Sequence, residues 1–164
     1  MLLPAVIDLP ALGLLIAANS TPVIVARLMG VRFSAPLDAH VVLRDGRPLF
    51  GSHKTWRGLL AGVVASALLG AGLGAGVLVG AAFGSLSLAG DLCSSFVKRR
   101  LGRQSGEWSP FLDQLPEALL PLLVFSGILG LDPVTIVGTT LAFTVLDLIV
   151  TKMRLPLTRG QSPQ

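Results

Sequence analysis

The sequence predicts an all-α integral membrane protein of about five transmembrane helices, with a long cytoplasmic loop after helix one. Three observations predict it. The 164-residue chain is 52% hydrophobic, and only 13% of its residues are charged, against roughly 25% in an ordinary soluble domain. Its apolar stretches are cut by prolines, glycines and polar loops into pieces close to the ~20 residues that cross a bilayer. All 13 Lys and Arg residues fall in three clusters, at 27–57, 98–103 and 152–159. Five alternating crossings put these clusters on one side, and an excess of basic residues marks the cytoplasmic side. The N-terminus is then expected outside, and the C-terminus in the cytoplasm. The far side keeps only Asp8 and Asp132. The net charge of +4 is accounted for by cytoplasmic loops, so no nucleic-acid partner is expected. A single cysteine, Cys93, excludes an internal disulfide.

The whole chain, 1–164, reads as one membrane domain. The first span is expected at about 4–29. No Lys or Arg precedes its apolar run, so it lacks the basic start of a secretory signal and is expected to be retained. Asn19-Ser20-Thr21-Pro22 interrupts it; the proline removes a backbone hydrogen bond and bends the helix, or the patch faces a polar site inside the bundle. A polar cytoplasmic loop follows at about 30–55. Asp45-Gly46 suggests a tight turn there, with a small strand over His40-Val41-Val42-Leu43. The loop closes on Lys54-Thr55-Trp56-Arg57-Gly58, with Trp56 suited to the membrane interface.

Gly58 to Gly90 is an uncharged run of 33 residues. As one helix it would be roughly 50 Å long at ~1.5 Å per residue, too long for a ~30 Å core. It must turn, and the glycines between Gly70 and Gly76 are the place. Spans are therefore expected at about 56–69 and 75–101. A second cytoplasmic loop covers about 102–110, with Trp108 at the interface. A fourth span at about 111–130 contains Pro116 and Pro121. Leu131-Asp132-Pro133 separates it from a fifth at about 133–153. A cytoplasmic tail, 154–164, completes the chain.

The chemistry is concentrated between Gly90 and Leu115. Asp91 lies inside a membrane-length helix, where an acid costs about 2.5–3.5 kcal/mol on insertion scales. Ser87, Asp91, Ser94 or Ser95, and Lys98 recur at helical spacing and share one face. Asp113 opens the next helix, with Glu117 one turn on. Each acid also has a plain structural role: Asp91 as partner of a basic side chain, Asp113 as a helix cap. On the last helix Thr140, Thr144, Asp147 and Thr151 form one polar stripe, the usual pattern of a packed seam. Acids just inside the membrane, with cations crowding the same edge, suit a metal and a polyphosphate. Mg²⁺ takes oxygen ligands from one or two carboxylates and from phosphates, and Lys and Arg hold the remaining phosphate charge. Such a site at the water–lipid boundary could join a soluble phosphate compound to a lipid phosphate.

Gly90-Asp91-Leu92, Ser95, Lys98-Arg99, Pro110 and Leu112-Asp113-Gln114-Leu115 resemble the C-terminal signature of the membrane CTP-transferases, which include the phosphatidate cytidylyltransferases. Leu49-Phe50-Gly51 with Lys54-Thr55-Trp56-Arg57-Gly58, and the Asn19-Ser20-Thr21-Pro22 patch, resemble the smaller archaeal branch, the CDP-archaeol synthases. The resemblance covers nearly the whole chain. It implies a Mg²⁺-dependent transfer of a cytidylyl group from CTP to an unsaturated archaeal ether-lipid phosphate in the bilayer. It also implies roles. Asp91 and Asp113 would be metal ligands, with Lys98 joining them as catalytic. Lys54, Thr55, Arg57, Ser95, Lys98, Arg99, Gln114 and Asn19 would bind CTP or lipid phosphate. The larger relatives carry an acid three residues after the first, where this chain has Pro116, which leaves Glu117 as the candidate third metal ligand. His53 stands where an Asn is expected.

A small ion or solute transporter is the alternative from another class, since intramembrane acids and a threonine stripe also suit an ion path. A scaffold subunit is a third, for which glycine packing alone would suffice. The one-sided cations and the lack of an internal repeat argue against transport. The oligomeric state is not legible.

Overall fold

The structure is a computed structural model; it describes residues 6–104 and 110–158, with side chains described for 6–104, 112 and 114–150. Among the described residues the regular structure is five helices: α1 (Leu9–Met29), α2 (Trp56–Gly72), α3 (Val77–Arg100), α4 (Pro110–Leu129) and α5 (Pro133–Thr158). The all-α class expected from composition is the class observed. α1, α3 and the Pro133–Val150 part of α5 are long and apolar enough to cross a membrane, and α2 and Gln114–Leu129 are shorter apolar helices.

Helix limits follow from caps and breakers. α1 begins at Leu9, later than the apolar run itself, because the Asp8 carboxylate accepts a hydrogen bond from Ala11 N at 2.7 Å and Pro10 follows at the first turn. Thr55 caps α2 in the same way, its hydroxyl accepting from Gly58 N at 3.3 Å. The uncharged run turns within its glycine segment. Gly74 and Gly76 both take positive φ, 79° and 95°, which side-chain-bearing residues rarely adopt.

The bundle is sequential, α2 packing on α1 and α3 and α4 on α3 and α5. Two close approaches set its geometry. A Cβ on Gly80 would stand 3.0 Å from Gly70 Cα, bringing α2 and α3 nearly into backbone contact. A Cβ on Gly90 would stand 2.7 Å from Glu117 N, so α3 lies directly on α4 beside Asp91. The apolar core gathers Leu14 and Leu15 from α1, Phe83 from α3, Leu122 and Phe125 from α4, and Phe143 from α5. Phe83 and Phe125 pack with ring centroids 5.7 Å apart. Leu28, Leu78, Ile128 and Leu141 point outward, more than half exposed. Such an exterior is a liability in water and the expected surface in lipid.

The connection from α1 to α2 is folded back on itself. Pro36 bridges Thr55 and Val42 bridges Pro48, both antiparallel. The small strand expected at 40–43 is reduced to that second bridge. Asp45-Gly46 does turn the chain, with Leu43 N bonding Arg47 O at 2.9 Å and Leu49 N bonding Val41 O at 3.1 Å.

Candidate active site at the charged end of the bundle

Asp91 is on α3 and Lys54 ends the long loop. The fold brings them together: Lys54 Nζ lies 2.5 Å from Asp91 Oδ2. Both side chains remain about a quarter exposed, at 27% and 21%, so the pair is reachable from outside. Two turns further along the same face of α3, Lys98 is buried, as is Arg99 beside it. Ser95, also on α3, is buried; Ser94 donates back to Gly90 O at 3.0 Å.

Asn19 sits one turn deeper. Its amide donates to Ser87 Oγ at 2.8 Å and to Leu15 O at 3.0 Å. This ties α1 to α3 four residues before Asp91, so the polar patch of the first helix does face inside the bundle. Gln114 is buried between α4 and α5, and its amide donates to Asp147 Oδ2 at 2.8 Å. Glu117 is buried one turn later on α4. Asp113 belongs to α4, but its side chain, like Trp108, lies outside the described residues.

Two of the expected binding residues have structural partners. The Thr55 hydroxyl caps α2. The Arg57 guanidinium donates to the backbone oxygen of Arg32, closing the loop. His53 is exposed, and Cys93 is exposed on α3.

Sequence reasoning missed Asp38, a buried loop acid on which the position of Lys54 depends. Its carboxylate accepts from Phe50 N at 3.0 Å, Gly51 N at 2.9 Å and His40 N at 3.1 Å. Burial favours its neutral form, but the bonds from Gly51, Phe50 and His40, with the nearby His40 charge, outweigh burial and hold it below the ordinary carboxylate value of 3.8. Leu37 N then bonds Lys54 O at 2.8 Å. Nothing local in Leu37-Asp38-Ala39 signals this, because the partners are 12 and 13 residues away.

The loop is also fastened to the end of α3. Arg100 Nη1 lies 2.5 Å from Asp45 Oδ2, and Arg100 Nη2 donates to Pro48 O at 2.6 Å. Arg47 donates to the backbone oxygens of Arg99 and Arg100, carbonyls that a helix end leaves without intrahelical partners. Lys54 is thereby held against α3 from two directions.

The donor set suits a hard cation. Lys54 takes one oxygen of Asp91, and the other acids and amides at this end offer oxygen only. Among the described residues no three His, Cys, Asp or Glu side chains cluster as a ready metal cage.

Known proteins resemble this chain in sequence and in fold. Residues 71–156 match the family model described as CarS-like, CDP-archaeol synthase. The CDP-archaeol synthase of Methanopyrus kandleri is 37% identical over 77% of this chain and 78% of its own length. Those of Aeropyrum pernix and Staphylothermus marinus are 44% and 38% identical, over 60% and 66% of this chain. The chain spans only 56% and 61% of the length of those two relatives. A solved structure, described as an intramembrane enzyme for archaeal membrane lipids biosynthesis, matches with a TM-score of 0.73 at 39% identity, over 87% of this chain and 90% of that one. The chain therefore belongs to the CarS-like, CDP-archaeol synthase family.

Proposed function

We propose that the chain is a CTP-dependent cytidylyltransferase. It converts 2,3-bis-O-(geranylgeranyl)-sn-glycerol 1-phosphate and CTP to the CDP-activated ether lipid and pyrophosphate. A lipid phosphate oxygen attacks the α-phosphorus of CTP, and the bond from that phosphorus to the β-phosphate oxygen breaks. The observation that carries the reading is the Lys54–Asp91 pair, in which a loop cation and an intramembrane acid meet at 2.5 Å. An apolar exterior lets the lipid phosphate come from the bilayer, and the folded loop opens the same point to a soluble nucleotide. Sidedness follows from the basic clusters: this end faces the cytoplasm.

The nucleophile is already an anion at neutral pH, so no protein general base is needed. Lys54, Lys98 and Arg99 meet phosphate charge on both substrates, and the buried shafts of Lys98 and Arg99 fix where that charge sits. Asp91 aligns Lys54 and, with Asp113 and Glu117, would hold Mg²⁺. The metal would supply neutralisation of the triphosphate. Asn19 and Ser87 keep α1 and α3 in register below the site.

The test is incubation of purified protein with α-³²P-labelled CTP, Mg²⁺ and a panel of lipid phosphates. The expected result is label in the lipid fraction, lost on chelation with EDTA. Folded protein that labels no lipid phosphate overturns the reading and returns the transporter alternative to the front.

A further inference from the structure

A groove of about 550 Å³ runs along α3 beneath the loop. Ala89, Leu92, Cys93 and Phe96 of α3 form its floor, and Leu49 and Phe50 of the loop form its roof. All of them are apolar. The α3 residues recur at three- and four-residue spacing, so they share one face of the helix. Cys93 follows Asp91 by two positions, a rotation of about 200°. The groove is therefore on the side of α3 away from Asp91, and a lipid whose phosphate reacts beside Asp91 does not fill it.

At its charged end the groove changes character. The Arg100 guanidinium stands 5.3 Å from the Phe96 ring centroid. The next residues of both elements, Arg47 and Pro48 of the loop and Gly102 and Arg103 after α3, line a smaller hollow of about 200 Å³. Among the described residues no acid lines either space, and the nearby Asp45 is paired with Arg100. An apolar groove followed by a basic hollow matches the two halves of a lipid with an anionic head. The groove suits a hydrocarbon tail. The hollow suits a phosphate, which Arg recognises well and which basic residues at a membrane surface attract. A neutral lipid would satisfy the groove and leave the charge of the hollow unmet.

We propose that this face of α3 binds an anionic phospholipid as a resident molecule, with one tail in the groove and the phosphate at Arg47 and Arg103. Leu49 and Phe50 belong to the loop that ends in Lys54, and Phe50 N and Gly51 N donate to Asp38, so the lipid packs that loop against α3. The site does not depend on the cytidylyl-transfer reading, because it lies on the other side of the helix.

Cys93 is the only cysteine of the sequence and is exposed in the groove, which makes it a reporter. Purified full-length protein is placed in nanodiscs of phosphatidylcholine, or of phosphatidylcholine mixed with phosphatidylglycerol of the same tails. The rate of Cys93 modification by N-ethylmaleimide, a neutral reagent, is then measured. It should be about fivefold slower with phosphatidylglycerol, the effect of roughly one basic residue at an anionic surface. Arg103→Gln should remove the difference although the bilayer charge is unchanged. Ala89→Leu, which narrows the groove and keeps both arginines, should remove it as well, and it carries the test should Arg103→Gln fail to fold. Equal rates in the two bilayers for the wild type overturn the proposal. A difference that survives both variants overturns it too, since it would belong to the bilayer surface and not to the site. Slowing that follows protein concentration instead of lipid would give the groove to a second copy of this chain and would likewise overturn it. CTP added in phosphatidylcholine should leave the rate unchanged; slowing by CTP would make the hollow part of the nucleotide site and end the proposal.

Discussion

Residues 30–57 and 98–104 meet at one end of the bundle, and the turn from α2 to α3 and the start of α5 lie toward the other. At the first end, elements are joined through charges: Lys54 to Asp91, Arg100 to Asp45, and Arg47 to the last carbonyls of α3. At the other end they are joined by closeness and caps. Gly70 meets Gly80 almost backbone to backbone, Asp8 N donates to Thr139 Oγ1 at 2.9 Å, and Asp132 caps α5 by accepting from Thr135 N at 2.9 Å. The difference shows where the fold tolerates cost. Partly exposed charge pairs are weak glue, typically ~0–1 kcal/mol, so their concentration at one end is better explained by chemistry than by stability. Glycine contacts and caps are the cheaper way to hold helices together, and they serve at the end away from the charged cluster.

The comparison can be broken most decisively at Asp91. Asp91→Asn should lower kcat for label transfer on the order of 10²-fold or more, the scale for removing a charge that stabilises a transition state. Insertion and thermal stability should change little. A variant with full activity would reduce the charged end to scaffolding. The mirror test is Gly80→Val, which forces a side chain against Gly70 and Ala67. Overpacking of this kind costs about 1–3 kcal/mol, read as a lower unfolding midpoint, while kcat per folded molecule should hold. Lost activity with stability intact would mean that the far end has a catalytic role.

Asp38→Ala tests the loop that carries Lys54. Hydrogen bonds to a charged group contribute about 1.5–3 kcal/mol each, so the loop should loosen and the KM for CTP should rise several-fold. The pH dependence has a definite sign. The Asp38 carboxyl is held below its ordinary value of 3.8 in the folded chain, so its contribution is complete above that value and is lost as pH falls through the lowered one. The stability gap between wild type and variant should therefore close as pH falls below about pH 4. A gap that widens in acid would show that the carboxylate is not the group at work. The smallest effect is expected from Thr139→Val. It removes one hydrogen bond, to Asp8 N, and should cost about 0.5–1.5 kcal/mol with no change in activity.

Much of the helix plan was legible. Hydropathy marks the five apolar runs, Asp8 and Thr55 mark two starts, and the segment from Gly70 to Gly76 marks the turn. These are local properties: a cap or a positive φ depends on residues within one turn. The strand expected at 40–43 is reduced to the single Val42–Pro48 bridge. Asp91, Lys54 and Lys98 were legible as candidate site residues because charges are costly near lipid and stand out against the run around them. Asp38 was not legible, because an acid in a polar loop is ordinary until its partners are known. Asp147 was placed correctly on a polar stripe, but its bond to Gln114 could not be read.

By itself, the sequence determined the solvent of this protein, the number and order of its helices and a short set of candidate site residues, because each depends on composition and near neighbours. Only the tertiary structure decided which of those residues meet. Lys54 and Asp91 are 37 residues apart, and Gln114 and Asp147 are 33 apart. Such contacts exist because α3 lies on α4 at Gly90 and the loop folds back onto α3, and those are outcomes of packing among all the helices at once.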